Sequence, residues 1–302
     1  HVPEPFTLYK NIAALPAGNC LWVDDKGCHD PRTFLNVSQE LSEASLAGSN
    51  EIPVSFDEAR EMLHTGLQES VQYHLVADVP VGLFLSAGLD SATLMALIAE
   101  HSDMAGKGDQ LRTITLGFEE FANTDDDEVP LAGTIAGHYG TAHTTRWVSK
   151  DLFTEQLEHL LHSMDQPSID GVNTYFVSLA AKEAGLKVAL SGLGGDELFA
   201  GYSSFSEIPR MVRLLNPVSR VPFLGRGFRL VTAPLLKHRT SPKYAGLLEY
   251  GGDYEGAYLL RRGLFMPWEL PEVLDGEIIK EGWDELNSMS SLRQSFSGIS
   301  NP

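Results

Sequence analysis

Short apolar runs alternate with longer amphipathic segments through the middle of the chain. The run VPVGLFL (79–85) is apolar throughout, as expected of a strand buried on both faces of a sheet. The turn SAGLDS and the apolar helical segment ATLMALIAEH (92–101) follow it at once. Further strands are predicted at 111–118, at 141–148 and within KVALSGLGGDE (187–197), and helices at 128–139, 152–163 and 175–184. Strands that alternate with helices predict an α/β fold, a doubly wound parallel sheet of about five strands with helices on both faces.

A further helix is expected ahead of the first buried strand. Ser55 is a good N-cap residue, and Glu58 stands three positions later, which completes the pattern of a capping box. Apolar residues then follow at helical spacing, at Ala59, Leu63, Leu67 and Val71. These signals predict a helix that runs from Ser55 to about residue 77.

The same pass along the chain divides it into three parts. Residues 1–50 are predicted to form short extended pieces with turns at 16–18 and 24–27, and to end in the polar linker SEASLAGSN (42–50). Residues 51–205 carry the alternating strands and helices. Residues 206–302 show no strand alternation, and we expect short helices broken by prolines, in an extension that is incomplete here.

Charge and composition exclude several classes of function. The formal net charge of −19 repels phosphate backbones and anionic lipids, which argues against a nucleic-acid or membrane-surface partner. The sequence contains neither a membrane-length apolar run nor a signal-peptide pattern, so we expect a cytoplasmic protein. Cys20 and Cys28 are too few for a disulfide framework and make a poor zinc site. The acidic run 125–128 is interpreted as a helix N-terminus.

The turn SAGLDS (86–91) is the first candidate for chemistry. A turn of small residues between a strand and a helix points backbone N–H groups at an anion, and serine hydroxyls add further donors. The turn is neither a Walker loop, since no GK followed by Ser or Thr occurs, nor a GxSxG elbow, since Phe84 replaces the first glycine. A second glycine-containing turn, SGLGGDE (191–197), also follows a predicted strand. One sheet edge can therefore bring Ser86 and Ser191 together around one nucleotide.

Three motifs together resemble a known family. SAGLDS resembles the SGGxDS pyrophosphate loop of the N-type ATP pyrophosphatases. With DVPVGLFLSAGLDS (78–91), LGF after the second strand and LSGLGGDELFAGY (190–202), the chain is most similar to the synthetase domain of glutamine-hydrolysing asparagine synthetase, over nearly its whole length. The resemblance implies nucleotide contacts from Leu85, Ser86, Gly88, Leu89, Asp90, Ser91, Leu116, Ser191 and Gly192. It also implies Mg²⁺ binding by Asp90 and Asp196, and oxygen ligands suit that ion.

The reaction that the resemblance implies uses ATP to activate a carboxylate, with the aspartate side chain as the best guess. The acyl-adenylate then reacts with ammonia to give asparagine and AMP. Residues 1–18 resemble the tail of a glutaminase domain, so we expect such a domain as a partner in the full-length chain. Glutaminase activity is not expected from this chain, because that activity needs an N-terminal cysteine and neither Cys20 nor Cys28 is one. A homo-oligomer is left open.

Some positions depart from the family or leave alternatives open. Leu193 stands where the family usually has Glu, and leucine can neither accept a proton nor bind ammonium. The chain could therefore be a paralogue that acts on another carboxylate, or a nucleotide-binding regulatory module without catalysis. Ala87 replaces a loop glycine, a small change if its φ stays negative. Glu197 either binds ligand or caps the following turn, and Asp165 either faces the site or is a turn residue before Pro167.

Overall fold

The computed structural model describes residues 4–48, 55–100, 110–168, 170–221, 223–236 and 241–296. The end of the predicted linker, 49–50, and the last residue of the predicted helix 92–101 lie outside these ranges. The chain divides into two compact units. The first contains His1–Phe34 and Val54–Asp196, and the second contains Leu35–Pro53 and Glu197–Pro302. No helix in the described ranges is long and apolar enough to cross a membrane.

The beginning of the first unit consists of short antiparallel strands. Strands β1 (Asn19–Cys20) and β4 (Arg32–Thr33) pair with each other, as do β2 (Val23–Asp24) and β3 (Gly27–Cys28). Gly27 has a φ of +115°, which residues with a side chain rarely adopt, so the turn at 24–27 needs glycine there. The extended pieces and turns predicted for this segment are thus confirmed.

The centre of the first unit is a parallel sheet of four strands, close to the predicted five. Its strands are β5 (Val81–Phe84), β6 (Arg112–Phe118), β7 (Ala142–Val148) and β8 (Val188–Leu190). The spatial order is β7-β6-β5-β8. The chain therefore builds the sheet outward from β5 in one direction and then returns to add β8 on the other side. The boundary between β5 and β8 is the topological switch point, outside which ligands bind in open α/β sheets.

Helices cover both faces of this sheet, as predicted. They are α2 (Phe56–His74), α3 (Leu89–Glu100), α4 (Val129–His138), α5 (Lys150–Ser163) and α6 (Gly171–Glu183). Leu83 of β5 and Leu85, directly after it, pack with α2, α3 and α4 on one face. Phe84, between them, packs on the opposite face with Ile114 and the end of α6. This alternation is why the strand sequence is apolar at every position.

The predicted capping box at the start of α2 is present. Ser55 accepts a hydrogen bond from the backbone N–H of Glu58, and the Glu58 carboxylate accepts one from the N–H of Ser55. The helix ends at His74, slightly earlier than the predicted residue 77. Helix ends are decided by local capping that the apolar pattern does not encode, so a shift of this size is ordinary.

The second unit is helical in its described residues. Its helices are α1 (Val37–Gly48), the short α7 (Gly195–Phe199) that begins in the first unit, α8 (Ser204–Ser219), α9 (Leu224–Leu236), α10 (Leu247–Tyr250), α11 (Tyr254–Arg262), α12 (Gly276–Leu286) and α13 (Ser288–Phe296). Trp268 anchors part of this unit, since it packs on Gly246 and lies under the guanidinium of Arg229, 4.6 Å from the ring centre. The expected helical extension is confirmed, although prolines lie inside α8 and α9 and do not break them.

The prediction of a polar linker at 42–50 is wrong for residues 42–48, which belong to α1. The side chain of Asn36 accepts a hydrogen bond from the N–H of Gln39, at 3.2 Å, and so caps the first turn. Gln39 and Glu43 then bond across one turn, at 2.7 Å. The segment contains no proline, and such local bonds suffice to continue a helix through polar residues.

Candidate functional site

The two glycine-containing turns meet at the switch point of the sheet. Strands β5 and β8 are direct neighbours, with Leu83 opposite Leu190, so both turns leave the same edge side by side. A Cβ atom added to Gly192 would lie 2.9 Å from both the Cβ of Asp90 and the backbone N of Ser91. A Cβ at Gly195 would lie 2.7 Å from an Asp90 oxygen. The second turn thus packs against the first turn of α3, and only glycine allows this approach.

The first turn is held in shape by its own serines. Ser91 is 5% exposed, and its Oγ accepts a hydrogen bond from the N–H of Ser86, at 3.1 Å. The same oxygen lies 3.1 Å from the carbonyl of Ser86 and 2.9 Å from the Ser86 hydroxyl. Ser86 Oγ in turn accepts from the N–H of Gly88, at 3.1 Å. The two hydroxyls therefore hold the turn in this shape without a bound ligand.

The first turn of α3 leaves three backbone donors open. In the described part of the chain, the N–H groups of Leu89, Asp90 and Ser91 have no hydrogen-bond acceptor. They are the first N–H groups of a 12-residue helix, which cannot be satisfied within the helix itself. Open N–H groups and the positive end of the helix dipole together make a binding place for an anion such as phosphate.

The second turn is open and contains few side-chain bonds. Gly194 has a φ of +101°, and the N–H of Gly195 donates to the carbonyl of Gly192 at 3.2 Å. Ser191 is exposed, and its hydroxyl accepts from the N–H of Leu193 at 3.3 Å. The side chain of Leu193 is 82% exposed. The backbone of this turn, and not its side chains, creates its shape.

Of the two predicted nucleoside contacts, Leu85 lies directly after β5 and Leu116 lies within β6. Leu85 is 2% exposed, its N–H donates to Ile114, and its carbonyl accepts from the hydroxyl of Thr115 at 2.6 Å. Leu116 lies two residues beyond Ile114, the partner of Phe84 at the end of β5. A contact with ligand from Leu85 would therefore have to come from its backbone, since its side chain is in the core.

The two predicted magnesium ligands are half-buried and belong to the two turns. Asp90 lies in the first turn of α3, and its carboxylate lies against Gly195, the residue directly before Asp196. Among the described residues, no group of three or more His, Cys, Asp and Glu side chains could hold a metal by itself. Two carboxylates beside an anion site fit a magnesium ion whose remaining ligands are phosphate oxygens and water.

One contact to the first turn was not foreseen from the sequence. The carboxylate of Glu128, directly before α4, accepts a hydrogen bond from the N–H of Ala87 at 3.3 Å. The acidic run does form a helix start as predicted, with Asp127 accepting from the N–H of Val129. In the sequence, the contact between Glu128 and the turn was indicated only by the position of the acidic run after β6, a strand that ends at the same edge of the sheet.

Glu197 and three histidines of the first unit make local contacts, which do not distinguish them as ligand-binding residues. Glu197 accepts from the hydroxyl of Tyr202 at 2.9 Å, in agreement with a structural cap. His159 lies 2.9 Å from the Tyr175 hydroxyl, and His162 bonds to the carbonyl of Glu158. His143 contacts Thr113 within the sheet, and burial lowers the pKa of its imidazole. Apart from that of Glu197, which is the last residue of SGLGGDE, none of these contacts involves the two turns.

Comparison with known proteins supports the resemblance seen in the motifs. The sequence model of the asparagine synthase family matches residues 62–294. A putative glutamine-hydrolysing asparagine synthetase of Mycobacterium bovis is 32% identical over 289 residues, 91% of this chain and 39% of that protein. Asparagine synthetase 1 of Bacillus subtilis is 28% identical over 223 residues, 73% of this chain and 32% of the relative. Asparagine synthetase B of Escherichia coli is 24% identical over 220 residues, which are 68% of this chain and 36% of the relative.

The chain thus spans about two fifths or less of the length of these relatives. The family match, in contrast, covers most of the chain, from within α2 to α13, and includes both turns and the whole parallel sheet. The chain belongs to the asparagine synthase family.

Proposed function

We propose that this chain is the synthetase part of an ATP-dependent ligase that forms an amide from a carboxylate and ammonia. The observation that carries the proposal is the packing of Gly192 and Gly195 against Asp90 at the switch point. This contact brings open helix N–H groups, two serine-containing turns and two carboxylates to one sheet edge. Names of the relatives agree with such an activity, since each is called an asparagine synthetase.

The triphosphate of ATP would bind at the two turns. The open N–H groups of Leu89, Asp90 and Ser91 can donate to phosphate oxygens, and the helix dipole favours the negative charge. Further candidate contacts are Ser86, Gly88, Ser191 and Gly192. The adenosine would then lie beside the backbone of Leu85 and Leu116, along the edge of the sheet.

Magnesium would be held by Asp90 and Asp196 together with the phosphate oxygens. When bound, the ion neutralises charge on the phosphates and so favours departure of pyrophosphate. The Asp90 carboxylate lies against Gly195, and Asp196 is the next residue along the chain, which supports a shared role for the two acids. Without a nucleotide they offer too few ligands for a tight site, which makes metal binding dependent on ATP.

The reaction needs no nucleophile from the protein. An oxygen of the substrate carboxylate attacks the α-phosphorus of ATP, and the bond from that phosphorus to the bridging oxygen breaks to release pyrophosphate. Ammonia then attacks the acyl carbon, loses a proton, and displaces AMP. The contribution of the chain is to place the carboxylate in line with the departing pyrophosphate and to stabilise its charge through the backbone N–H groups of the turns.

The aspartate side chain is the proposed carboxylate, and the product is then asparagine. Leu193 at the tip of the second turn is the reason to test other acids, because its exposed side chain offers no group for ammonium or proton transfer. The nitrogen would come from a glutaminase domain in the full-length enzyme, in keeping with the glutamine-hydrolysing relatives. If the enzyme binds ATP but activates no carboxylate, a regulatory nucleotide-binding role is favoured instead.

Pyrophosphate release by the full-length enzyme tests this proposal. With ATP, Mg²⁺, ammonia and aspartate, we expect steady release, and Asp90→Asn or Asp196→Asn should lower the rate on the order of 100-fold or more by removing charge at the metal. Asp284→Asn, an exposed acid in α12, is the matched control and should leave the rate unchanged. Undiminished release in both test variants would refute the role of these acids, and release with another acid would reassign the substrate.

A further inference from the structure

Glu128 contacts the phosphate-binding turn, although it belongs to a different connection of the sheet. The connection from β6 to α4 is rigidly folded by its own bonds, since Asp127 accepts from the N–H groups of Asn123 at 2.8 Å and Val129 at 3.1 Å. Thr124 adds a bond to the carbonyl of Phe121 at 2.7 Å. The carboxylate of Glu128 is thus presented by a fixed backbone and reaches the N–H of Ala87.

The backbone N–H groups of the turn fall into two classes. Those of Ser86, Ala87 and Gly88 are all bonded to side chains, the first to Ser91 and the third to Ser86. The next three, Leu89 to Ser91, have no acceptor in the described residues. The turn satisfies two of the bonded groups with its own serines. Only the group of Ala87 depends on a residue outside the turn.

A carboxylate at this place has two effects. As an acceptor it ties the turn to the connection after β6, and as a charge it keeps phosphate oxygens away from Ala87. Both effects direct an incoming phosphate to the open N–H groups of α3.

We infer that Glu128 is a positioning residue: it occupies the N–H of Ala87 and holds the turn in the form that directs the triphosphate of ATP onto the N–H groups of Leu89, Asp90 and Ser91. The inference rests on the proposed binding of ATP at this turn. It adds a residue that acts through the turn and not by touching the reacting atoms. The hydrogen bond to Ala87, and not the charge, is the feature that must be preserved.

The test compares Glu128→Ala with Glu128→Gln in the full-length enzyme. Glutamine retains an acceptor oxygen for the N–H of Ala87, whereas alanine leaves that group open. We expect Glu128→Ala to raise the Kd and KM for ATP about threefold to tenfold, as for the loss of one hydrogen bond, and Glu128→Gln to stay within about twofold of the unsubstituted enzyme. Glu120→Ala, with the same change at an exposed position of the same connection, should change neither value.

Two readouts separate this inference from the proposed function. The Kd for MgATP is measured by calorimetric titration, and turnover by pyrophosphate release. A normal Kd in Glu128→Ala, tighter ATP binding in that variant, or equal losses in the Ala and Gln variants would each overturn the role of Glu128. If the unsubstituted enzyme binds ATP without releasing pyrophosphate, the proposed function fails while the comparison of Kd values still decides the inference.

Discussion

The two turns at the sheet edge reach their shapes by opposite means. SAGLDS (86–91) is built by side chains, because the hydroxyls of Ser86 and Ser91 satisfy the backbone groups of the turn. SGLGGDE (191–197) is built by the lack of side chains, because Gly192 and Gly195 lie where a Cβ atom would collide with Asp90. The shape of the first turn therefore depends on bonds within the turn, while that of the second depends on its contact with Asp90 at the start of α3.

This difference means that the two turns should respond differently to mutation. An added methyl group is most harmful where glycine permits close contact, and a lost hydroxyl is most harmful where it is buried. Loss of the exposed Ser191 hydroxyl in the second turn should have the smallest effect on stability. Three substitutions test these expectations, from the largest effect to the smallest.

Gly195→Ala should cause the largest loss. The new Cβ would overlap the carboxylate of Asp90, so that carboxylate must turn away from the place where it would hold the magnesium ion. We expect pyrophosphate release to fall on the order of 100-fold, as for misplaced catalytic groups. Gly133→Ala in α4 is the matched control, because a Cβ there meets nothing within 4 Å and alanine favours a helix. Equal activity of the two variants would show that the close approach is not needed.

Ser91→Ala should mainly affect stability and the order of the first turn. The substitution leaves the N–H of Ser86 without its acceptor in a nearly buried place, which costs about 1–3 kcal/mol. The free energy of unfolding, measured with denaturant, should fall by that amount, and the KM for ATP should rise. Stability equal to that of the unsubstituted protein would contradict the structural role given to this hydroxyl.

Ser191→Ala should leave stability within about 0.5 kcal/mol, because the hydroxyl is exposed and makes one long bond to the N–H of Leu193. Any rise in the KM for ATP, about threefold to tenfold, would then report a direct contact with the nucleotide. The free energy of unfolding, measured with denaturant as for Ser91→Ala, allows the two variants to be compared. A loss of stability as large as that of Ser91→Ala would remove the contrast between the two turns.

Much of the fold could be predicted from the sequence, because local patterns decide it. The apolar strand at 79–85, the capping box at Ser55 and the helices between the strands all appear close to their expected places. Residues 42–48, which were predicted to be a linker, could not be recognised as part of a helix by their polar composition. Its cap at Asn36 and the bond between Gln39 and Glu43 become visible only in three dimensions.

The candidate site, like the fold, could be predicted in part from the sequence. The motifs alone predicted the two turns and the acids Asp90 and Asp196 within them, because small residues between a strand and a helix are typical of anion-binding turns. They did not distinguish Ser86 and Ser91, whose hydroxyls form hydrogen bonds within the turn, from Ser191, whose hydroxyl is exposed. Nor did they indicate the contact of Glu128 with Ala87. Hydrogen-bond partners far apart in the sequence leave no periodic signal.

By itself the sequence determined the order of strands and helices, the two turns and the family resemblance, because each depends on residues close together along the chain. The tertiary structure alone decided that β8 lies beside β5, that Gly195 touches Asp90 and that Glu128 reaches Ala87. Strand order and contacts between turns arise from packing of the whole sheet, and that packing is a property of no single segment.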